Sequence, residues 1–150
     1  VIGWTLPTNG GETLIVVGHP SLAATGPLAP ARIAELPLLQ QSTRPYMWRQ
    51  WFESLGLSVA HDMSGPRMEL FSMLSEAAAD GLGVALVPPF LVEHDLAQGR
   101  LARLVDHEFR SDRSYYLIYP ERKSENPGLA TFRDWLDGEA RRYRTAEGLE

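Results

Sequence analysis

Short apolar runs alternate with amphipathic stretches of helical period along most of this chain, and glycines punctuate the exchange. Thr13 to Val17 is rich in β-branched residues, apolar on consecutive positions, and stopped by Gly18-His19-Pro20. Such a run reads as a strand buried on both faces. Ala29 to Leu36 reads as a short helix ending before Pro37, and Leu36 to Gln40 as a second strand. From Tyr46 to Leu55, the residues Met47, Trp48, Trp51, Phe52 and Leu55 recur on one face of a helix. Ser42 or Thr43 suits its N-cap and Gly56 its left-handed stop.

Leu57 to Met63 alternates roughly and reads as a third strand, followed by the turn Ser64-Gly65-Pro66-Arg67. Glu69 to Ala79 reads as a helix with Leu70, Phe71, Leu74, Ala77 and Ala78 inward, ended by Gly81. Gly83 to Pro88 forms the next buried strand. Pro89 opens a helix to Gln98, closed by Gly99. Leu101 to Val105 and Ser114 to Tyr119 read as strands, and Pro127 to Tyr143 as a long helix with Leu129, Phe132, Trp135, Leu136 and Ala140 inward. Residues 1–11 read as loop. The alternation predicts an α/β fold with parallel strand pairs and helical crossovers.

Composition narrows the chemistry. With 150 residues the chain suits one domain with a sizeable core, and 44% hydrophobic content with four Trp argues against disorder. The net charge of −5 argues against this chain gripping a phosphate backbone by itself. There is no cysteine, so disulfides, thiolate catalysis and cysteine zinc sites are excluded. No apolar run approaches the roughly 20 residues of a membrane helix, and no secretory leader is visible, so the cytoplasm is the expected compartment. No cofactor is expected. The four histidines His19, His61, His94 and His107 show no metal-ligand spacing.

In open α/β sheets, ligands bind outside the carboxyl ends of strands, often at helix N-termini. Gln41-Ser42-Thr43-Arg44 combines an amide, two hydroxyls and a guanidinium before a helix, which suits a carboxylate or another small anion. The same hydroxyls also suit simple helix capping. Ser64-Gly65-Pro66-Arg67 is a second candidate, with Pro66 and Arg67 at the rim or in a plain turn. Pro88, with Pro89 and Phe90, either walls a pocket or only starts a helix. His61-Asp62 with Ser64 invites a hydrolase reading. Strand neighbours point to opposite faces, however, and no G-x-S-x-G elbow is present. No catalytic and no metal-binding residue is assigned.

Several blocks, taken in order, resemble one family. "LIVVGHPSLAATGPL" resembles a strand followed by a V-x-S-P-x-L turn, with His19-Pro20-Ser21 in place of the common Ser-Pro. "LPLLQQSTRPYMWRQWFESLGL" resembles L-P-L-L-x-x-x-x-R-P-x-x-W-x-x-W-F. "SEAAADGLGVALVPPF" and "LAQGRLARL" resemble the A-A-x-x-G-x-G-V-A-L-x-P block and its L-x-x-G-x-L-x-x-L tail, and "SYYLIYPE" with "FRDWLDGEA" resembles the closing strand and helix. Together they are similar to the effector-binding domain of LysR-type transcriptional regulators, in particular the glycine-cleavage-activator-like subgroup.

The resemblance implies a type 2 periplasmic-binding-protein-like α/β fold, mainly its second subdomain plus the returning strand and helix. On that basis residues 1–12 are a loop or remnant of the first subdomain, 13–118 the second, and 119–150 the return segment. The implied function is non-enzymatic. A small effector would bind in an inter-subdomain cleft; joined to the loop chemistry above, which suits an anion, the binding residues expected are Gln41, Ser42, Thr43, Arg44, Pro66, Arg67 and Pro88. Its binding would modulate a homodimer or homotetramer that meets DNA through a winged helix-turn-helix outside this chain. The alternatives are a solute-binding protein of a transport system and a small hydrolase. The long last helix would also lack its usual packing partner, leaving the Phe132–Trp135 stripe in search of a surface.

Overall fold

The structure is a computed structural model that describes residues 2–5 and 12–147. The chain divides into two compact units, one of residues 13–109 and one of the described residues of 1–12 and 110–150.

The unit of residues 13–109 grows from β2 (Thr13–Gly18), after β1 (Ile2–Thr5) of the other unit. Strand β2 alternates its side chains between two hydrophobic clusters. Leu14 and Val16 join one, Ile15 and Val17 the other. A strand covered on both faces must be apolar at every position, which is why its sequence is an unbroken run rather than an alternating one. The same division recurs at Leu38 and Leu39, and again at Leu86 and Val87.

Helix α1 (Pro30–Ile33) and helix α2 (Met47–Ser54) bear on the first cluster, where Ile33, Trp48, Trp51 and Phe52 are buried. The Trp48 and Trp51 rings meet edge-on at 5.7 Å, and Trp51 and Phe52 at 5.0 Å. Helix α3 (Phe71–Ala79) covers the second cluster with Leu74, Ala77 and Ala78. Between these helices, β3 (Gln40–Gln41) pairs in parallel with β4 (Arg67–Met68), with Gln40 opposite Arg67 and Gln41 opposite Met68. A parallel bridge from Leu38 to Val84 joins β3 to the approach of β5 (Ala85–Val87). Strand β5 and β6 (Ala102–Arg103) then flank β2 in antiparallel register. The fold is α/β, as expected, but its sheet is mixed.

Further differences from expectation are local. Residues 57–63 form no strand. Leu57 and Val59 pack beside the Trp cluster, and the segment then turns. Gln40 holds it by donating its Nε2 hydrogens to the carbonyls of Asp62 and Ser64 at 3.2 and 3.0 Å. Asp62, itself buried, accepts two hydrogen bonds from Arg49 at 2.9 and 3.0 Å. That contact raises the Arg49 guanidinium further above its ordinary pKa, first through the hydrogen bond and then through the carboxylate charge. Gly65 is required beside it. Its φ is +132°, and a Cβ there would fall 2.1 Å from the Leu38 carbonyl oxygen.

Helix α3 starts at Phe71, not Glu69, and Leu70 is exposed because it precedes the helix in extended conformation. Part of the stretch read as loop at residues 1–11 is strand β1; residues 6–11 lie outside the described residues. The stops at Gly56, Gly81 and Gly99 all have positive φ. Helix α4 (Glu93–Ala97) is separated from Pro89–Leu91, a 3-10 turn, so Pro89 opens a turn and not a continuous helix.

The other unit includes β8 (Tyr116–Tyr119), antiparallel to β1, and α5 (Pro127–Glu147); β7 (Phe109–Arg110) spans the point where the units divide. Glu12 and Ser111 are buried. The Glu12 carboxylate accepts from the Tyr115 hydroxyl at 2.5 Å, and the Glu12 backbone N–H donates to the Arg113 carbonyl at 2.7 Å. None of the side chains described on α5 is buried. Phe132 and Trp135, expected inward, are 45% and 54% exposed and lie against each other at 5.7 Å.

Candidate functional site

Strands β3, β4 and β5 run in the same direction, so their carboxyl ends face one edge of the unit. The loops that leave those ends are residues 42–46, 69–70 and 88–91. The sheet order places the first between the other two.

The central loop is tied down by backbone. The Ser42 N–H donates to the Met68 carbonyl at 2.9 Å, and the Arg44 N–H to the Gln41 carbonyl at 3.0 Å. The Arg44 guanidinium carbon lies 4.9 Å from the centre of the Phe71 ring, the first residue of α3. That contact joins the central loop to the start of α3. Behind the loop, the Trp48 indole N–H donates to the Leu39 carbonyl at 2.9 Å, with both groups buried.

Ser42 and Thr43 are exposed, and neither caps a helix. The N-cap of α2 is Tyr46, with no side-chain cap bond. The capping expectation is therefore corrected: the turn at 42–46 intervenes, and the N-cap position falls to Tyr46. The hydroxyls are left uncommitted just beyond a strand end, while the N-terminus of α2, where the Met47 N–H donates to the Arg44 carbonyl at 3.3 Å, has no side-chain cap and keeps the positive end of the helix dipole.

Gln41 is buried and donates its Nε2 to the Glu69 carbonyl at 3.3 Å. Because a carbonyl only accepts, this contact fixes the amide orientation. The other end, Oε1, is a buried acceptor without a partner.

The remaining candidates sit elsewhere on the same framework. Pro66 and Arg67 lie beside Gln40, at the beginning of β4. The Pro66 carbonyl accepts from the Gln40 N–H at 2.8 Å, and Arg67 Nη2 lies 3.5 Å from the Met63 carbonyl. The loop at the carboxyl end of β4 is Glu69-Leu70, not Ser64–Arg67. Pro88 is buried at the end of β5, and its carbonyl accepts from the Leu91 N–H at 3.2 Å. Phe90 and Leu91 carry the exposed surface there.

The structure thus brings Gln41, Ser42 and Arg44 together with the start of α3, and sets Pro66 and Arg67 back along the ladder. Sequence reasoning missed Gln40, the Arg49–Asp62 pair and the Leu70–Met73 edge. The pair Gln40-Gln41 at the end of an apolar run is the available signal for the first of these.

The hydrolase alternative has no support in this geometry. The His61 ring Nε2 is 2.7 Å from the Ala34 carbonyl, a structural bond across 27 positions, and Asp62 is engaged by Arg49. Among the described residues no group of His, Asp and Glu side chains could hold a metal ion. Among them, too, no helix is long and apolar enough to cross a membrane.

Comparison with known proteins places the chain. The sequence pattern of the LysR substrate binding domain matches residues 10–141. The transcriptional activator AmpR of Rhodobacter capsulatus is 34% identical over 113 residues, covering 75% of this chain and 38% of that protein. The glycine cleavage system transcriptional activator of Escherichia coli K12 is 30% identical over 128 residues, covering 83% of this chain and 41% of its own length. The chain therefore spans about two-fifths of the length of these relatives. The crystal structure of the effector domain of the Pseudomonas aeruginosa regulator AmpR superposes with a TM-score of 0.81 at 26% identity, covering 97% of this chain and 68% of that one. These relatives are transcriptional regulators and not enzymes, and the chain belongs to the LysR substrate-binding-domain family, the effector-binding region of such regulators.

Proposed function

We propose that this domain senses a small anionic metabolite at the edge where β3, β4 and β5 end, and through it adjusts the transcriptional activity of a LysR-type regulator. One observation carries the reading: the Ser42 and Thr43 hydroxyls stand exposed beyond β3, at an α2 N-terminus that no side chain caps. Hydroxyls at the positive end of a helix dipole stabilise an anion. Arg44 adds charge from the same loop. Gln41 and Pro88 shape the floor and one side, while Pro66 and Arg67 contribute from the ladder behind.

Ligand affinity that differs between two arrangements of the regulator shifts the population between them. That shift alters the geometry of a homodimer or homotetramer whose DNA contacts lie in a winged helix-turn-helix outside these residues. Such a regulator works in the cytoplasm, where its DNA is.

The test begins with a thermal-shift screen of carboxylate and phosphate metabolites, followed by calorimetry on the Thr43→Ala variant. Loss of a hydrogen bond to a charged group costs about 1.5–3 kcal/mol, so affinity for the selected metabolite falls roughly tenfold to a hundredfold. Stability stays within about 0.5 kcal/mol, because Thr43 is exposed and packs into neither cluster. Equal affinity in the two proteins removes Thr43 from the site.

A further inference from the structure

The unit of residues 13–109 has a core of its own, yet its exposed apolar surface is concentrated at one edge. Tyr46, Leu70, Met73, Phe90 and Leu91 are between 42% and 59% exposed. Each stands on a loop leaving β3, β4 or β5, or in the first turn of the following helix. Among the described residues of this unit, the remaining large hydrophobic of comparable exposure is Leu82, which lies at the other end, between α3 and β5. Scattered exposed hydrophobics are ordinary; several gathered around a polar centre mark a binding surface. The sheet order supplies the centre. The polar loop 42–44 leaves β3, which lies between β4, with Leu70 and Met73 beyond it, and β5, with Phe90 and Leu91 beyond it.

We infer that the ligand of this edge is a carboxylate carrying an apolar body. Its charged group meets Ser42, Thr43 and Arg44, and its hydrocarbon part lies over the Leu70–Met73 or Phe90–Leu91 side. A fully polar ion would leave these side chains in water on either side of it. An apolar substituent removes them from water and gains roughly 0.8 kcal/mol for each buried methylene, about fourfold in affinity. The inference rests on the site reading given under Proposed function and adds the class of ligand to it.

Titration calorimetry with acetate, butyrate, hexanoate and octanoate tests it. Affinity is expected to rise about threefold to fourfold per methylene until the apolar side is filled. Thr43→Ala should weaken every member by a similar factor and leave the slope intact. The paired substitution Leu70→Ser and Met73→Ser, or Phe90→Ser and Leu91→Ser on the opposite side, should flatten the slope. These residues are exposed, and circular dichroism confirms that each variant is folded.

Affinity that does not depend on chain length overturns the inference, as does a slope that both paired variants leave unchanged. Failure of all four acids to bind also overturns it. In that case a polar metabolite whose affinity still falls in Thr43→Ala leaves the site reading standing. If no ligand responds to Thr43→Ala, the site reading fails as well.

Discussion

Each of the two units of this molecule is stabilised internally in its own way. Residues 13–109 enclose two hydrophobic clusters on either face of one sheet, and their large aromatic residues on α2 are almost fully buried. The described part of the other unit turns on a polar crossing. There the Glu12 carboxylate gathers the Tyr115 and Ser111 hydroxyls, while Phe132, Trp135, Tyr116 and Ile118 stay 45% to 65% exposed. The difference teaches that an amphipathic sequence does not by itself bury its apolar stripe. Helix α2 finds a sheet to cover, and α5 carries the same kind of pattern without burying any described side chain.

The sharpest way to break this comparison is at Gly65. Gly65→Ala forces a Cβ toward the Leu38 carbonyl at a φ that alanine avoids, so the first unit should lose more than about 3 kcal/mol. Guanidinium denaturation followed by tryptophan fluorescence reads this. An unchanged midpoint would mean that the loop is not locked against β3.

Next in size is a matched pair of truncations. Trp51→Ala should cost about 3–5 kcal/mol, the usual loss for a large buried aromatic, while Trp135→Ala should cost less than about 1 kcal/mol. Equal losses would show that α5 is packed as α2 is. A loss between those two belongs to Trp48→Phe. It keeps most of the ring but strips the Leu39 carbonyl of its donor, for a loss of about 1–2 kcal/mol. A neutral result there would show that the bond adds nothing beyond packing.

Much of the first unit could be read in the chain because each local signal had one physical outcome. The consecutive apolar residues of β2 need cover on both faces, and Gly56, Gly81 and Gly99 end elements at φ values that favour glycine. Residues 57–63 misled because a roughly alternating pattern fits a coil packed against aromatic rings as well as a strand. What decides between them is long-range, the Gln40 amide and the Arg49–Asp62 pair.

The two-residue β4 is too short to leave a periodic signal, so the sequence reads Ser64–Arg67 as the turn after a strand at 57–63 and Glu69 as the start of a helix, where the loop leaving β4 runs instead. At the central loop, the sequence offered capping and ligand binding as equal uses for Ser42 and Thr43. Only the position of Tyr46 at the N-cap shows that α2 does not employ them.

The bond from Trp48 to the Leu39 carbonyl also gives the molecule a built-in optical gauge. The indole is anchored to the backbone two residues before Gln41, while its ring sits in the dry interior beside Trp51 and Phe52. A shift of β3 alters the polarity felt by that chromophore, so movement at the strand's far end is translated into a change of emission colour without any attached dye.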